Sequence, residues 1–453
     1  MGGANGLRKG YHDLLRREIL ELIPTTSKAI LDLGCGAGNL GKALKKRQPC
    51  LVHGIELSSE AAEIAGKNLD HIWCDNLNRF DPKFIKQKYD TLIFADILEH
   101  LVSPWRTLKK FTSSLTDNGT IIASIPNVAH PWILNNLKQG IFRYEPAGIL
   151  DITHLRFFTK TSLFQLFYSA GLKITNIRPY PSIDNPIQYH VTAVKTPLVT
   201  RAPTVTILIL AHNSWAITKQ CIDSIKKNTK SSYKILVIDN ASTDETVTEL
   251  RKDKSIFHIE NSSNLGFSKG YNVGLMLMDT PYFVIANNDT VVTDGWLPRM
   301  IYNIDNDEKL MVLGPRSNYV SGPQLVKDVP YKGEKSLAEF ARVYRCGCAR
   351  AVTYFPRIVF FFALFKAEVL KKVGFLDEIF GKGNFEDDDY CMRVAQKGLK
   401  TGYDNTTFIH HHGSHTFKKD IKEYQILMLG NEKKFLKKWN FERMEQYMQY
   451  LRQ

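Results

Sequence analysis

A chain of 453 residues is too long for one hydrophobic core of ordinary size, so two or three domains are expected. Its 43% hydrophobic and 23% charged residues are typical of a globular protein and disfavour a disordered or fibrous chain. The net charge of +14 is spread evenly over both halves. This disfavours a nucleic-acid-binding arm and suits anionic small substrates, an anionic membrane surface or a merely soluble surface.

The sequence also bears on where the protein works. The first ten residues lack the apolar core of a signal peptide. The longest apolar run, residues 358–365, is far shorter than the ~20 residues that span a bilayer, and it predicts a buried strand instead. The seven scattered cysteines form no disulfide framework. These features predict a cytoplasmic protein with reduced thiols.

The first half begins with a helical pattern over residues 11–23, followed by a strand at 29–33 and a further helix. Between that strand and helix stand Gly34, Gly36 and Gly38, on alternate residues. Glycines with this spacing let the backbone turn tightly and approach a ligand. The turn alone is weak evidence for one ligand, because dinucleotide-binding folds use a similar device.

Acidic residues end or follow the next predicted strands. Glu56 closes a strand at 52–56, about 20 residues after the glycine turn, where a carboxylate can accept hydrogen bonds from ribose hydroxyls. Asp75 and Asp96 stand at the ends of later strands. These later strands are expected at 72–75, 90–94, 119–125 and 188–194.

This ordered set resembles the class I S-adenosylmethionine-dependent methyltransferases, over about residues 10–180. The resemblance implies a Rossmann-like α/β fold, with the methionine part of S-adenosylmethionine against the glycine turn. It also implies that Glu56 holds the ribose and Asp75 the adenine amino group, while Asp32 either joins the site or only supports the turn. The implied cofactor-binding residues are Asp32, Gly34, Gly36, Gly38, Glu56, Asp75 and Asp96.

Two histidines are candidates for proton transfer in this half. Residues 150–159, which contain His154, resemble a later motif of one methyltransferase subfamily whose members often lie in polysaccharide gene settings. An imidazole titrates near neutral pH, so His100 or His154 is expected to take a proton from an acceptor hydroxyl. The alternative for each is a hydrogen-bonded structural residue.

Prolines punctuate residues 178–204 and predict a short, stiff linker. The boundary is placed near residue 198, which gives domains over residues 1–197 and 198–453. The second half repeats the alternation of strands and helices, so a second mostly parallel sheet flanked by helices is expected. Its first strands are predicted at 205–210, 233–238 and 256–260, and a further buried strand is predicted within 282–290.

The last of these strands ends in Asn287, Asn288 and Asp289. An acid at this edge of an α/β sheet can hold a divalent metal that carries a diphosphate, unless the segment is an ordinary polar turn. Four consecutive acids at 386–389 open a later predicted helix. Their mutual repulsion favours a raised pKa and general-base use, unless they are only a solvated helix start. Histidines at 410, 411, 412 and 415 offer metal ligands or donors to a phosphate, unless the run is incidental.

Together these segments resemble the family 2 glycosyltransferases of the GT-A fold, over about residues 204–440. The resemblance implies a manganese or magnesium ion that bridges the diphosphate of a nucleotide-sugar donor. Asp387, with Glu386 beside it, would deprotonate the acceptor hydroxyl for an inverting displacement. The implied metal ligands are Asp289, His411 and His412. The implied substrate-binding residues are Ala211, Asn213, Asp239, Asn264, Gly266 and Asn288, with Asp239 on the nucleotide base.

One segment departs from that family's pattern. Many members have a small Ser-Gly-Ala-like step where this chain has phenylalanine at 360–362. We expect this bulk to reshape the donor or acceptor pocket, so the sugar is not assigned by analogy.

The tail over residues 432–453 alternates basic and aromatic side chains. Such a segment can lie on an anionic membrane, where lipid-linked acceptors are found. The preferred interpretation is that Phe435, Leu436 and Trp439 dock on the catalytic domain instead.

The sequence as a whole predicts a cytoplasmic two-domain enzyme of bacterial surface-glycan assembly, with a peripheral position at the inner membrane face as an option. One domain would transfer a sugar to a glycan or lipid-linked saccharide acceptor, and the other would methylate a glycan or sugar hydroxyl. One rival is a glycosyltransferase whose first domain binds S-adenosylmethionine, or serves as a scaffold, without methylating. The other rival is a binding protein with both sites inactive.

Overall fold

The computed structural model describes residues 16–195, 204–348, 350–413 and 421–452. The chain divides into two compact units: unit 1 is Met1–Leu198 with Arg251–Ser255, and unit 2 is Val199–Leu250 with Ile256–Gln453. The predicted boundary near residue 198, the start of the first predicted helix and His415 lie outside the described residues. Within the described ranges, no helix combines the length and apolarity needed to cross a membrane.

Unit 1 is built around a mostly parallel sheet, to which the described residues contribute seven strands. The strands are β1 (Ala29–Leu33), β2 (Leu51–Glu56), β3 (His71–Cys74), β4 (Tyr89–Ala95), β5 (Leu115–Pro126), β6 (Leu172–Tyr180) and β7 (Gln188–Lys195). The helices are α1 (Arg17–Leu20), α2 (Asn39–Arg47), α3 (Ser59–Ala65), α4 (Pro104–Phe111), α5 (Pro131–Lys138) and α6 (Lys160–Ser169). The sheet order is β3-β2-β1-β4-β5-β7-β6, and only β7 runs antiparallel to both of its neighbours among these strands.

All the strands predicted for the first half form, and two elements differ from the prediction. Strand β6 is not expected from the sequence, because a register irregularity between Ile174 and Asn176 interrupts its alternation of buried and exposed residues. The predicted helix over 11–23 is described from residue 16 onward, and there α1 ends at Leu20, shortly before Pro24.

Unit 2 contains the second predicted sheet, in which β10, β9, β8 and β11 lie parallel and in that order. The order continues β15-β13-β16-β14, and β15 runs antiparallel to both β11 and β13. The strands are β8 (Val205–Ala211), β9 (Tyr233–Asp239), β10 (Phe257–Glu260), β11 (Tyr282–Asn287), β12 (Thr290–Val291), β13 (Leu310–Arg316), β14 (Val352–Tyr354), β15 (Phe362–Lys366), β16 (Lys400–Phe408) and β17 (His410–His411). The two short strands β12 and β17 pair with each other.

Helices surround this second sheet. They are α7 (Trp215–Asn228), α8 (Thr246–Lys252), α9 (Phe267–Leu275), α10 (Trp296–Asp305), α11 (Glu334–Cys346), α12 (Val369–Lys372), α13 (Glu386–Gln396), α14 (Ile421–Trp439) and α15 (Met444–Tyr450). The two units therefore confirm the predicted fold class, with two α/β domains that are each built on a mostly parallel sheet.

The longest apolar run is only partly a strand. Residues 358–361 precede β15, which begins at Phe362 and is buried between β11 and β13. The ring of Phe362 packs against Trp296 in the core. The strand is thus shorter than predicted, and Phe360 and Phe361 lie outside it.

The tail packs on unit 2 in the manner preferred from the sequence. Phe435 is buried, and it forms a cluster with Phe380, Phe385 and Tyr447. Trp439 and Leu436 pack against the same cluster. These contacts bring the C-terminal helices α14 and α15 close to the start of α13.

Candidate functional site

The carboxyl edge of the sheet in unit 2 brings Asp289 and His411 together. The pairing of β12 with β17 sets His411 opposite Thr290, the residue after Asp289. As a result, Nε2 of His411 lies 3.1 Å from Oδ1 of Asp289. The other ring nitrogen, Nδ1, lies 2.7 Å from the carbonyl oxygen of Tyr319. A carbonyl can only accept, so Nδ1 carries a proton and Nε2 faces the carboxylate.

The pKa of Asp289 is set by two opposing effects. Burial acts to raise it, but the hydrogen bond and charge of His411 outweigh burial, so the pKa of Asp289 lies below its usual value. A carboxylate and an imidazole so placed are ligands that a divalent cation accepts. The third predicted ligand, His412, has Nε2 at 3.1 Å from Oε1 of Gln220, and its backbone N–H donates to the carbonyl oxygen of Asp289.

The acidic run at the start of α13 divides into two pairs. Asp388 has structural partners: Nε of Arg357 and the hydroxyl of Tyr447 each donate to Oδ1 at 2.6 Å. Asp389 accepts from three side chains, which are Arg393, Lys438 and Trp439. The second pair of acids is therefore compensated by fixed donors.

Glu386 and Asp387, the first pair, are buried. Oδ1 of Asp387 accepts from the backbone N–H of Asp388 at 2.9 Å, and the charge of Arg357 acts to lower the pKa of Asp387. Burial raises the pKa of Glu386, and the charge of Asp387 raises it further. Burial and the neighbouring Asp388 likewise raise the pKa of Asp387. Oε2 of Glu386 is buried without a hydrogen-bond partner among the residues that the structure describes. Carboxylates in this state are suited to accept a proton.

A cleft of about 1010 Å³ connects these groups, and we call it the acid cleft. Its lining includes His411, Glu386, Asp387, Phe360 and Phe361. The ring of Phe361 stacks on that of His411, with centroids 4.9 Å apart. The phenylalanine segment therefore contributes bulk to the acid cleft beside the candidate metal ligand.

Three predicted substrate-binding residues, at the end of β8 and after β10, are linked through Asn240, which follows β9. The carbonyl oxygen of Ala211 accepts from the backbone N–H of Asn240 at 2.7 Å. Nδ2 of Asn240 donates to Oδ1 of Asn264 at 3.1 Å and to the carbonyl oxygen of Gly266 at 3.0 Å. These four residues thus form one connected turn region at the edge of the sheet.

The remaining predicted residues of this group lie at the same edge. Asn213 adopts a left-handed conformation, with φ of 58°, directly after β8. Asp239 is buried at the end of β9, and both of its carboxylate oxygens accept from the N–H of Ser242. Asn288 donates to the hydroxyl of Thr218 at 2.9 Å. The structure therefore places all six at the sheet edge that also carries Asp289.

In unit 1 the glycine turn forms as predicted. Gly34, Gly36 and Gly38 have φ of 81°, 53° and 75°, which are values that other residues rarely adopt. Oε2 of Glu56 accepts from the N–H of Gly36 at 2.9 Å, while Oε1 accepts from the two backbone N–H groups after Glu56. The Glu56 carboxylate thus ties the end of β2 to the turn.

Three further acids lie on β1 or directly after β3 and β4. Burial raises the pKa of Asp32, on β1, to about 7. Asp75 follows β3 and is partly exposed. Asp96 accepts from the Ser124 hydroxyl at 2.7 Å and forms an ion pair with Arg16, so its carboxylate already has protein partners.

His100 and His154 also come together, with ring centroids 4.7 Å apart. The carbonyl oxygen of Glu99 accepts from the backbone N–H after His154 at 2.8 Å and so joins the two segments. Each histidine directs Nδ1 at a backbone carbonyl oxygen, that of Thr153 for His100 and that of Ile149 for His154. The structure thus forms one cluster from two separately predicted residues.

The sequence does not predict a role for three residues at these sites, which are Arg357, Tyr447 and Glu99. Arg357 and Tyr447 are far from Asp388 in the chain, and only the fold shows that they compensate it. Four consecutive acids predict that a basic residue lies close to them, but they do not identify that residue. Glu99 stands next to His100, yet its deep burial has no counterpart in the sequence pattern.

Two family models match this chain. The model for glycosyl transferase family 2 matches residues 206–373. The model described as a methyltransferase domain matches residues 7–177. The two matches fall in unit 2 and unit 1 respectively, in the order predicted from the motifs.

Similar proteins include an uncharacterized glycosyltransferase of Haemophilus influenzae, 28% identical over 116 residues. That match covers 25% of this chain and 36% of the relative, so this chain matches only about a third of that protein. A ubiquinone biosynthesis O-methyltransferase of Coxiella burnetii is 26% identical over 165 residues, which are 35% of this chain and 69% of that protein.

Solved structures resemble parts of the fold. GalNAc-T7 with UDP, GalNAc and Mn²⁺ matches with a TM-score of 0.38 and 16% identity, over 47% of this chain and 44% of that one. Magnesium protoporphyrin IX methyltransferase of Synechocystis, with bound SAH, matches with a TM-score of 0.32 and 17% identity, over 43% and 90%.

The sequence motifs, the two sheets and the two family models agree on the organisation of the chain. The chain carries a methyltransferase domain followed by a family 2 glycosyltransferase domain.

Proposed function

We propose that unit 2 transfers a sugar from a nucleotide-sugar donor to a hydroxyl of a glycan or lipid-linked acceptor, with inversion and with a divalent metal. The observation that carries the proposal is that His411, paired with Asp289, lines the same cleft as Glu386 and Asp387. The match to the family 2 model supports the reaction class.

The residues present fit a divalent cation, because an anionic carboxylate and an imidazole nitrogen face each other at 3.1 Å. Asp289 and His411 would hold it. When bound, it would neutralise the charge of the nucleoside diphosphate leaving group. Asp387 would take the proton of the acceptor hydroxyl while the new C–O bond forms and the bond to the diphosphate breaks. Its raised pKa suits this role near neutral pH.

We propose that unit 1 binds S-adenosylmethionine at the glycine turn and methylates a glycan or sugar hydroxyl. S-adenosylmethionine would supply the methyl group. Glu56 and the left-handed glycines would bind it, while His100 or His154 would receive the acceptor proton. The O-methyltransferase among the similar proteins supports transfer to oxygen. The rival is a unit 1 that binds the cofactor and methylates nothing.

We further propose that the protein works in the cytoplasm, with peripheral contact at the inner face of the membrane as an option. Phe435, Leu436 and Trp439 of the tail are occupied in the cluster around Phe435. Any contact with a membrane would therefore use basic side chains rather than these aromatic ones.

Thermal unfolding of the whole chain with a ligand panel tests these proposals. The panel contains S-adenosylhomocysteine and UDP-, dTDP-, GDP- and CDP-nucleotides, each with and without Mn²⁺. A ligand that binds only the native state raises the unfolding midpoint. We expect one response to S-adenosylhomocysteine and one metal-dependent response to a single nucleotide. A shift of the midpoint with a nucleotide alone would indicate that unit 1 serves as a scaffold. No shift with any ligand would contradict both proposals.

A further inference from the structure

We propose that Glu99, His100 and His154 form a divalent transition-metal site in unit 1, in addition to the metal proposed for unit 2. One possible ligand atom from each of the three residues lies within 4.8 Å of the others. Two imidazoles and one carboxylate are a ligand set for Mn²⁺, Fe²⁺, Co²⁺, Ni²⁺ or Zn²⁺.

The buried carboxyl of Glu99 indicates that a ligand binds at this cluster. Its side chain is only 1% exposed, and neither carboxylate oxygen has a hydrogen-bond partner within the described part of the chain. A buried carboxyl without a partner is costly, whereas a glutamate with a purely structural role is normally hydrogen-bonded. A cation bound at the cluster would supply the missing partner.

The two histidines are arranged as metal ligands rather than as ion-pair partners. Nδ1 of His100 lies 3.2 Å from the carbonyl oxygen of Thr153, and Nδ1 of His154 lies 2.9 Å from that of Ile149. Because a carbonyl only accepts, each Nδ1 carries the proton and each Nε2 keeps its lone pair. Nε2 of His100 is buried and has no hydrogen-bond partner among the described residues.

Backbone hydrogen bonds hold the three residues in place together with the Nδ1 contacts of the two histidines. The carbonyl oxygen of Glu99 accepts from the N–H groups of Leu155 and Arg156, at 2.8 and 3.0 Å. The N–H of His154 donates to the carbonyl oxygen of Asp151 at 2.9 Å. The ligand atoms are thus positioned before any cation arrives, which lowers the cost of binding.

Three protein ligands leave coordination positions open, which is the arrangement of a catalytic rather than a structural metal site. We infer that the open positions take an acceptor with two neighbouring hydroxyl oxygens, as in a sugar diol. With Nε2 of both histidines on the cation, neither His100 nor His154 can receive the acceptor proton, so the cation would replace the imidazole base by favouring loss of that proton to water. This part of the inference rests on the methyl transfer proposed for unit 1, whereas binding of the cation does not.

Titration of the whole chain with Co²⁺ tests the site, followed by calorimetry and by visible absorbance, which reports the coordination of this ion. The Asp289→Ala background removes the site proposed for unit 2. We expect one Co²⁺ to remain in that background, and Glu99→Gln or His154→Gln to weaken its binding by roughly 100-fold or more, since even indirect partners of metal ligands contribute 10–100-fold. The matched control is His53→Gln, another partly buried histidine of unit 1, which is bonded to the Tyr89 hydroxyl.

Unchanged Co²⁺ affinity and absorbance in both Glu99→Gln and His154→Gln would overturn the proposal. Folding of each variant is checked by its unfolding midpoint in a chelator, which we expect Glu99→Gln to keep or raise because it removes an uncompensated carboxyl. Binding of S-adenosylhomocysteine is measured separately. Loss of Co²⁺ binding with retained cofactor binding supports the site, whereas Co²⁺ binding without any methyl transfer would contradict only the proposed function.

Discussion

Nε2 of His411 faces Oδ1 of Asp289 across 3.1 Å, while Nδ1 of the same ring is fixed by a backbone carbonyl. Two atoms with lone pairs at this distance need either a shared proton or a shared cation. A bound cation would therefore replace the shared proton, and we expect metal uptake at this site to release protons.

We predict that Asp289→Asn abolishes metal-dependent sugar transfer, with a loss of roughly 100-fold or more, because the amide cannot supply the anionic ligand. The measurement is transfer rate against Mn²⁺ concentration. Asp279→Asn is the control, since Asp279 is exposed and forms a surface ion pair with Lys234. A wild-type Mn²⁺ dependence in Asp289→Asn would remove this residue from the site.

We predict that Arg357→Gln moves the acid limb of the pH–rate profile upward by about one unit. The charge of Arg357 lowers the pKa of Asp387, so its removal raises that pKa, and the base then loses its proton only at higher pH. The profile of kcat/KM against pH measures this shift. Arg342→Gln, on the exposed face of α11, should leave the limb in place. An unmoved limb in Arg357→Gln would argue against Asp387 as the base.

The same variant should be less stable by about 3 kcal/mol, because it leaves the buried Asp388 with a single donor from Tyr447. Urea unfolding of the whole chain measures the difference. Stability within experimental error of the wild type would mean that solvent reaches Asp388 once Arg357 is gone.

We predict that Glu56→Gln weakens binding of S-adenosylhomocysteine by about 10–100-fold, because an amide cannot accept from the turn as a carboxylate does. Calorimetry on the whole chain tests this prediction. The control is Glu60→Gln, four residues further on and exposed in α3. Equal affinities of the two variants would exclude a role for Glu56 in the cofactor site.

Asp32 gives a prediction for stability against pH. Its pKa is about 7 in the folded state against an ordinary value of 3.8, so the folded state keeps a proton that the unfolded state has lost between these values. The stability of unit 1 should therefore fall as the pH rises from about 4 to 7, by on the order of a few kcal/mol.

Asp32→Asn should remove that dependence and so gain stability relative to the wild type at pH 8. Hydrogen exchange of peptides covering β1, at pH 5 and pH 8, reports the local stability. Asp117→Asn, which changes an exposed acid, should behave as the wild type does. A parallel pH dependence of Asp32→Asn and the wild type would disprove the raised pKa.

The sequence predicts the strand-end acids well, because a parallel sheet gathers the ends of its strands at one edge. Asp289, Glu56 and Asp239 therefore lie where the alternation of strands and helices puts them. The partner of Asp289 is less certain from sequence, since three adjacent histidines are equivalent there. The pairing of β12 with β17 selects His411.

The sequence does not show which distant residues will donate hydrogen bonds to a buried acid. Arg357 meets Asp388 only because the segment before β15 passes the start of α13, and Tyr447 arrives from the C-terminal helices. Glu99 shows the same limit in unit 1, because its burial depends on residues 150–156 folding over it.

The contact between Tyr447 and Asp388 has a consequence for how the protein is made. Synthesis runs from the N-terminus, so the acidic run leaves the ribosome before the residue that will cap it, 59 positions later. Until α14 and α15 arrive, Asp388 and Asp389 lack the hydroxyl, indole and ammonium donors that fix them. During translation, unit 1 can thus complete its fold before the helices that pack against the acidic run of unit 2 have been made.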